Sequence, residues 1–190
     1  PVHYKNAQGE FADINKEFVD TGNAHVNGGN VFSLSLPKTF TGSHTLLRGG
    51  TSVTLIPVSA NAVSATTEGG KDLNIMTQKL YAANELFYQN AWTQTDVRFR
   101  NEWYGAKEFI VVKDSTAPTT FSYQISWTGS APIFDGKRLI FNGIALEALK
   151  AHDAKNRNVP LQIAFRKQGA KRFFDISFNP VLAVTATTTI

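Results

Sequence analysis

The segment Thr120–Trp127 reads TFSYQISW, and its large apolar side chains occupy every second position. Such alternation places consecutive side chains on opposite faces of a β-strand, which makes one face of this segment apolar and the other polar. The same pattern recurs in segments 32–36, 52–55, 96–100, 161–166 and 174–178. One apolar face and one wetted face is typical of antiparallel sheets, because strands of parallel sheets are covered on both sides.

Turn signals separate these segments, among them Asn27-Gly28-Gly29-Asn30, Gly49-Gly50, Asp135-Gly136 and Asn142-Gly143. Ten or more short strands at this spacing predict an all-β fold, an antiparallel β-sandwich of jelly-roll-like type.

Two segments depart from the alternation. Phe109–Val112 is continuously apolar and predicts a central strand buried on both faces, and Ile144–Asp153 fits a short helix or a strand. We expect one module over residues 1–180, with packed halves 1–85 and 86–180 as the alternative. Residues 181–190 are expected to form a terminal strand or to begin a linker.

Composition excludes several classes of function. The 190 residues contain no cysteine, which removes disulfides, thiolate zinc sites and cysteine nucleophiles. The net charge of +4 is dispersed, whereas nucleic-acid binding needs clustered cations, so no nucleic-acid partner is predicted. No apolar stretch is long enough to span a membrane. The chain begins at Pro1 without Met, so we expect a piece of a longer protein.

Two runs of residues resemble a known group of modules. Residues 1–15 (PVHYKNAQGEFADIN) resemble the hairpin "P-[VI]-H-Y-K-D-x-x-G-x-W-x-D-I-[DN]". Residues 90–99 (NAWTQTDVRF), 105–113 (GAKEFIVVK) and 117–123 (APTTFSY) resemble the run "N-x-F-x-x-T-D-L-x-Y … G-x-K-E-x-I-x-L-K … A-P-x-x-F-x-F". Both runs are found in large bacterial wall-associated and YD-repeat (RHS-type) secreted surface proteins. A weaker similarity covers Phe141–Pro160.

This resemblance covers about half of the chain and implies an N-terminal-type, β-rich, extracellular and non-enzymatic module. Two departures from the pattern stand out. Trp103-Tyr104-Gly105 replaces the usual polar turn, and Phe109 stands where an acidic residue is common. Large aromatic side chains at a hairpin tip reduce solubility unless another molecule covers them.

Residues that could support catalysis or bind metal are scattered along the chain. His3, His25, His44 and His152 have no spacing typical of zinc ligands, and Gly42-Ser43-His44 lacks the second glycine of a nucleophile elbow. Nothing in the sequence selects a pair of carboxylates for glycoside cleavage. We therefore predict no enzyme activity.

Calcium is the open alternative to a fold without cofactors. Asp153, Asn156 and Asn158 share one loop and offer oxygen ligands, but they lack the acidic spacing of an EF-hand, and a plain Asx-rich turn is the favoured explanation.

Four aromatic residues are candidates for contact with a ligand or partner: Trp92, Trp103, Tyr104 and Trp127. Trp127 follows the apolar face of its strand, and Trp92 lies within the resemblance, so core packing competes with ligand contact for both. Trp103 and Tyr104 lie at a predicted hairpin tip, where burial in the domain's own core is not automatic.

The sequence favours a structural or adhesive module at the cell surface, whose partners are neighbouring modules, like subunits or glycans. A terminal strand with Leu182, Val184 and Ala186 on one face could pair with the open edge of a neighbour and support filaments. A carbohydrate-binding module is the first alternative, and a viral jelly-roll capsid or fibre protein is the second.

Overall fold

A computed structural model describes residues 3–6, 8–71, 80–146, 150–179 and 187–189. Over these residues the chain forms β-strands and no helix, which confirms the all-β prediction. The strands are β1 (His3–Lys5), β2 (Phe11–Asp13), β3 (Phe18–Asp20), β4 (Ala24–Asn27), β5 (Ser33–Pro37), β6 (His44–Arg48), β7 (Thr51–Pro57), β8 (Thr66–Lys71), β9 (Leu80–Trp92), β10 (Thr95–Asn101), β11 (Ala106–Val112), β12 (Thr120–Trp127), β13 (Ile133–Phe134), β14 (Leu139–Phe141), β15 (Ile144–Leu146), β16 (Lys150–His152), β17 (Asn158–Val159), β18 (Leu161–Gln168), β19 (Lys171–Phe178) and β20 (Thr187–Thr189).

Two antiparallel sheets contain most of these strands. The order is β18-β19-β12-β7-β6-β5-β4-β3 in the eight-stranded sheet and β17-β16-β20-β11-β10-β9-β8 in the seven-stranded sheet. Strands β1 and β2 form a separate hairpin, and β13–β15 form a small third sheet. Consecutive strands are neighbours in the runs β3–β7 and β8–β11, as short turns require. The two large sheets share one apolar core, as in a β-sandwich.

Alternate side chains of each sheet build this core, as the sequence pattern predicts. In β12, Phe121, Tyr123 and Ile125 are buried, while the residues between them are half-buried or exposed. Aromatic rings connect the two sheets: the ring centroid of Trp92 lies 5.0 Å from Phe121 and 4.8 Å from Phe40. Such ring pairs add to the free energy gained by burying apolar area.

Strand β11 differs from the expectation that Phe109–Val112 is buried on both faces. Ile110 and Val112 are buried, but Phe109 and Val111 are half-buried. The guanidinium carbon of Arg100 lies 5.3 Å from the ring centroid of Phe109 and covers it on the outer face of the sheet. A cation over an aromatic ring protects the ring from water without a second apolar layer.

The segment Ile144–Asp153 forms strands β15 and β16 at its two ends, and residues 147–149 lie outside the described residues. Strand β15 follows the turn Asn142-Gly143, where Gly143 has a φ of 80°. Residues with a Cβ rarely adopt this left-handed conformation, which explains why glycine follows asparagine in the hairpin.

Strands from both halves of the chain share each large sheet. The eight-stranded sheet combines β3–β7 from the first half with β12, β18 and β19 from the second. Strand β9 (Leu80–Trp92) itself crosses the boundary at residue 85 between the two alternative halves. At the C-terminal end, β20 pairs with β11 on one side and with β16 on the other. Leu182, Val184 and Ala186, predicted to form an associating edge, lie outside the described residues.

Candidate functional site

The connection between β10 and β11 presents two aromatic rings to solvent. Trp103 is 48% exposed and Tyr104 is 51% exposed. Their ring centroids are 4.9 Å apart, and the ring planes meet at 80°. The ammonium of Lys107 lies 5.8 Å from the centroid of the Tyr104 ring. The two side chains thus form an aromatic tip, defined here as Trp103 and Tyr104, whose rings contact each other edge to face.

Three polar contacts hold the base of this aromatic tip. Asn101 Nδ2 donates to the carbonyl of Lys16 at 2.9 Å, and Lys16 Nζ forms an ion pair of 3.3 Å with Glu102. Asn30 Nδ2 donates to the carbonyl of Glu102 at 3.1 Å. Asn101 and Lys16 are buried, so these contacts are shielded from water. The aromatic tip therefore projects from a fixed base.

The other two candidate tryptophans lie elsewhere. Trp92 is 2% exposed, its ring packs against Phe40 and Phe121, and its Nε1 donates to the carbonyl of Val58 at 3.0 Å. The core of the sandwich surrounds the ring of Trp92, which favours core packing over ligand contact for this residue. Trp127 is half-buried, and its ring centroid lies 5.8 Å from that of Phe141 in the third sheet.

A cavity of about 670 Å³ opens beside the aromatic tip. Its walls come from the facing sides of β5–β7, from β10 and β11, from the hairpin of β14 and β15, and from β16. Leu36 and Val53 are among its buried lining residues, whereas Arg48, Ala145 and Lys150 are exposed at its mouth. Tyr104 also lines the cavity, so the aromatic tip and the mouth are adjacent.

Two buried titratable side chains line this cavity. Glu108 is 4% exposed, and burial raises the pKa of its carboxyl to about 7. Its Oε1 accepts a hydrogen bond of 2.6 Å from the hydroxyl of Tyr123. His44 is also 4% exposed, and burial lowers its pKa to about 4. Both side chains are therefore uncharged at mildly acidic pH.

The hydrogen bonds of the histidines that line the cavity show which ring nitrogens are left without a partner. His44 Nε2 lies 2.9 Å from the carbonyl of Phe40, to which it donates, and Nδ1 is then an acceptor. Among the described residues, Nδ1 of His44 and Nδ1 of His152 have no hydrogen-bond partner. Both histidines line the cavity. Polar atoms without partners are uncommon in protein interiors and call for water or a ligand.

The loop proposed for calcium is a hydrogen-bonded turn between β16 and β17. Oδ1 of Asp153 accepts from the backbone N–H groups of Lys155 and Arg157, at 2.9 Å and 2.8 Å. Oδ2 of Asp153 forms an ion pair of 2.5 Å with the guanidinium of Arg157. These hydrogen bonds hold the pKa of Asp153 below its usual range. Asn156 has a φ of 59°, as in an Asx-rich turn.

In the described part of the chain, no three His, Asp or Glu side chains lie close enough together to hold a metal ion. The secondary structure of this part also includes no helix long and apolar enough to cross a membrane.

Sequence reasoning identified the aromatic tip but not the cavity behind it. The aromatic tip is visible in the sequence itself, because two large aromatic residues occupy positions in a predicted hairpin turn where small or polar turn residues are usual. Glu108 also carried a signal, because an acid on the buried side of a strand is costly without a partner. Its partner Tyr123 comes from the other sheet, and no local pattern connects the two residues.

The chain was compared with protein-family models, with curated proteins and with solved structures, and none of the three comparisons finds a match.

Proposed function

We propose that this chain is a non-catalytic structural or adhesive β-sandwich module of a bacterial surface or secreted protein. It contacts a like subunit or a neighbouring module through the aromatic tip. The observation that carries this proposal is the exposure of Trp103 and Tyr104 on a base held by buried polar contacts. Exposed aromatic rings on a rigid element are typical of the residues that contribute most to protein interfaces.

The extracellular bacterial setting rests on the sequence resemblance, which includes the two runs that flank the tip. Residues 90–99 and 105–113 contribute to β9, β10 and β11, so the resemblance covers most of the two strands that flank Trp103 and Tyr104, which themselves depart from its pattern. The proposal of a non-catalytic role rests on the scattered histidines and on the lack of a nucleophile motif in the sequence.

The geometry of the two rings favours a protein partner over a glycan. A sugar ring stacks on a flat aromatic surface, whereas the planes of Trp103 and Tyr104 meet at 80° and form no common platform. An edge-to-face pair presents a ridge that fits an apolar recess of a partner protein. Carbohydrate binding is therefore the alternative that the same experiment tests.

The test is the double variant Trp103→Ser with Tyr104→Asn, whose self-association is measured by sedimentation velocity over a range of concentrations. We expect the parent to associate and the variant to remain monomeric with an unchanged melting temperature. The matched control is Phe11→Ser with Ile133→Asn, which removes two other exposed apolar side chains and should leave association intact.

Four results would contradict the proposal. A parent that stays monomeric overturns the like-subunit contact. A double variant that unfolds shows that the rings stabilise the domain itself. Association that persists in the double variant assigns the contact to another surface, such as β18, one of the two edge strands of the eight-stranded sheet. Retention of the parent, but not of the variant, on a glycan array establishes the carbohydrate alternative.

A further inference from the structure

The cavity beside the aromatic tip has the size and lining of a ligand site. Its volume of about 670 Å³ lies in the range of roughly 300–1,000 Å³ that is typical of small-molecule sites. Leucine, valine, isoleucine and phenylalanine side chains form most of the inner wall. Apolar side chains around a space of this size lack the dispersion contacts that close packing would give them. An apolar ligand in the cavity would supply those contacts.

The mouth of the cavity carries cationic side chains. Arg48 and Lys150 are exposed lining residues, and Lys107 reaches the mouth beside Tyr104. Within the described ranges, none of these three cations forms an ion pair with a carboxylate. Unpaired cations around an opening attract anions and orient them toward it.

Two buried histidine nitrogens that lack partners among the described residues belong to residues that line the cavity. His152 lies two residues from Lys150 in β16, and its Nδ1 has no partner among the described residues. The second of these nitrogens is Nδ1 of His44, which is 4% exposed. Glu108, the acidic side chain in the lining, is buried deep in the cavity rather than at its mouth.

From this combination we propose that the cavity binds a single-chain amphiphile. Its alkyl chain lies between the two sheets, and its anionic head contacts Arg48 and Lys150 at the mouth. Charge complementarity selects this occupant over a neutral one, since the cations surround the opening while the interior is apolar. The site adjoins the aromatic tip, because Tyr104 lines the cavity, but its apolar interior and cationic mouth are observations that do not rest on the proposed protein contact.

Isothermal titration with decanoate, kept below its micelle concentration, tests the proposal on the intact chain. We expect one decanoate per chain. Octanoate, which is two methylenes shorter, should bind about fifteenfold more weakly, because each buried methylene contributes roughly a factor of four. The neutral 1-decanol should bind severalfold more weakly than decanoate. Absence of decanoate binding, or equal affinities for octanoate and decanoate, overturns the proposal.

The double variant Arg48→Gln with Lys150→Gln tests the head-group contact. It should weaken decanoate binding about fivefold and leave 1-decanol binding unchanged, since exposed ion pairs of this kind are modest. The control Lys167→Gln with Lys171→Gln removes the same charge from the exposed β18–β19 hairpin and should change neither affinity. If decanoate affinity falls equally in both double variants, the attraction is non-specific and the assigned head-group site is wrong.

A cavity-filling variant tests the location of the alkyl chain. Leu46 lines the cavity from β6, and Leu46→Trp adds volume there. We expect a folded variant, by circular dichroism, that no longer binds decanoate. Undiminished binding to the folded variant places the ligand elsewhere and overturns the proposal. If Leu46→Trp fails to fold, the chain-length series and the charge variants decide the matter.

Discussion

Tyr123 donates a hydrogen bond of 2.6 Å to Oε1 of Glu108, and this contact connects the two sheets of the sandwich. Tyr123 belongs to β12 of the eight-stranded sheet, and Glu108 belongs to β11 of the seven-stranded sheet. Burial raises the pKa of both side chains, that of Glu108 to about 7. Below pH 7 the contact thus joins a neutral carboxyl group and a neutral phenol.

The variant Glu108→Gln should remove one pH dependence of stability. The carboxyl has a pKa of about 7 when folded and an ordinary value of 4.5, so the folded state holds its proton longer and stability falls as pH rises through this window. We expect equal stability of parent and variant near pH 4.5. At pH 8 the variant should be more stable by on the order of 3 kcal/mol.

Urea denaturation from pH 4.5 to pH 8 measures this difference. Tyr123→Phe is a useful companion, because it removes the hydrogen bond but leaves the carboxyl buried. A stability difference between parent and Glu108→Gln that does not change with pH would show that Glu108 titrates normally.

His44 contributes a pH dependence of the opposite sign. Its pKa is about 4 when folded and ordinarily 6.5, so the unfolded chain binds the proton first and stability falls as pH decreases from 6.5 to 4. In His44→Gln this loss should disappear, whatever constant cost the new side chain brings to the packing. The measurement is the difference in unfolding free energy between pH 4 and pH 7 for parent and variant, and equal differences would refute the prediction.

Replacement of Trp92 should damage the fold, whereas replacement of Trp103 should not. Trp92→Ala removes a buried ring and leaves the carbonyl of Val58 without its donor, which costs on the order of 3–5 kcal/mol. Trp103→Ala removes a half-exposed ring and should cost less than about 1 kcal/mol. Chemical denaturation compares the two variants. Similar losses would mean that Trp103 also stabilises the domain.

Glu85 should matter more for stability than Glu68, although both contact Arg98. The side chain of Glu85 is buried between Arg98 at 3.2 Å and Arg100 at 2.5 Å, whereas that of Glu68 is 42% exposed and lies 3.4 Å from Arg98. Glu85→Gln should lower the unfolding free energy by about 2 kcal/mol, and Glu68→Gln by less than about 1 kcal/mol. Equal effects in denaturation experiments would place both carboxylates in the same solvent environment.

The Asp153 turn should stabilise the hairpin of β16 and β17 without calcium. Asp153→Ala removes the acceptor of two backbone N–H groups and should lower the melting temperature by a few degrees. Asp153→Asn keeps an acceptor and should have a smaller effect. Calcium or a chelator should leave the melting temperature of the parent unchanged, and a clear shift would establish a calcium site in this loop.

The pattern of neighbouring residues is sufficient to predict the strands and the turns of this protein. The alternation in Thr120–Trp127 predicted which side chains of β12 face the core, because a strand has only two faces. Asn142-Gly143 predicted a tight turn for an equally local reason. Trp103 and Tyr104 stand out in the sequence for the same local reason, because large aromatic side chains are unusual turn residues.

The sequence by itself therefore determined the all-β class, the inward and outward faces of the strands and the aromatic hairpin tip, since each depends on neighbouring residues. Only the tertiary structure decided that Trp92 is core, that Lys16 holds Glu102 from 86 residues away, and that Glu108 meets Tyr123 across the sandwich. These contacts depend on which strands become neighbours and how the sheets face each other. Strand pairing and sheet packing are non-local, so periodicity within a segment carries no information about them.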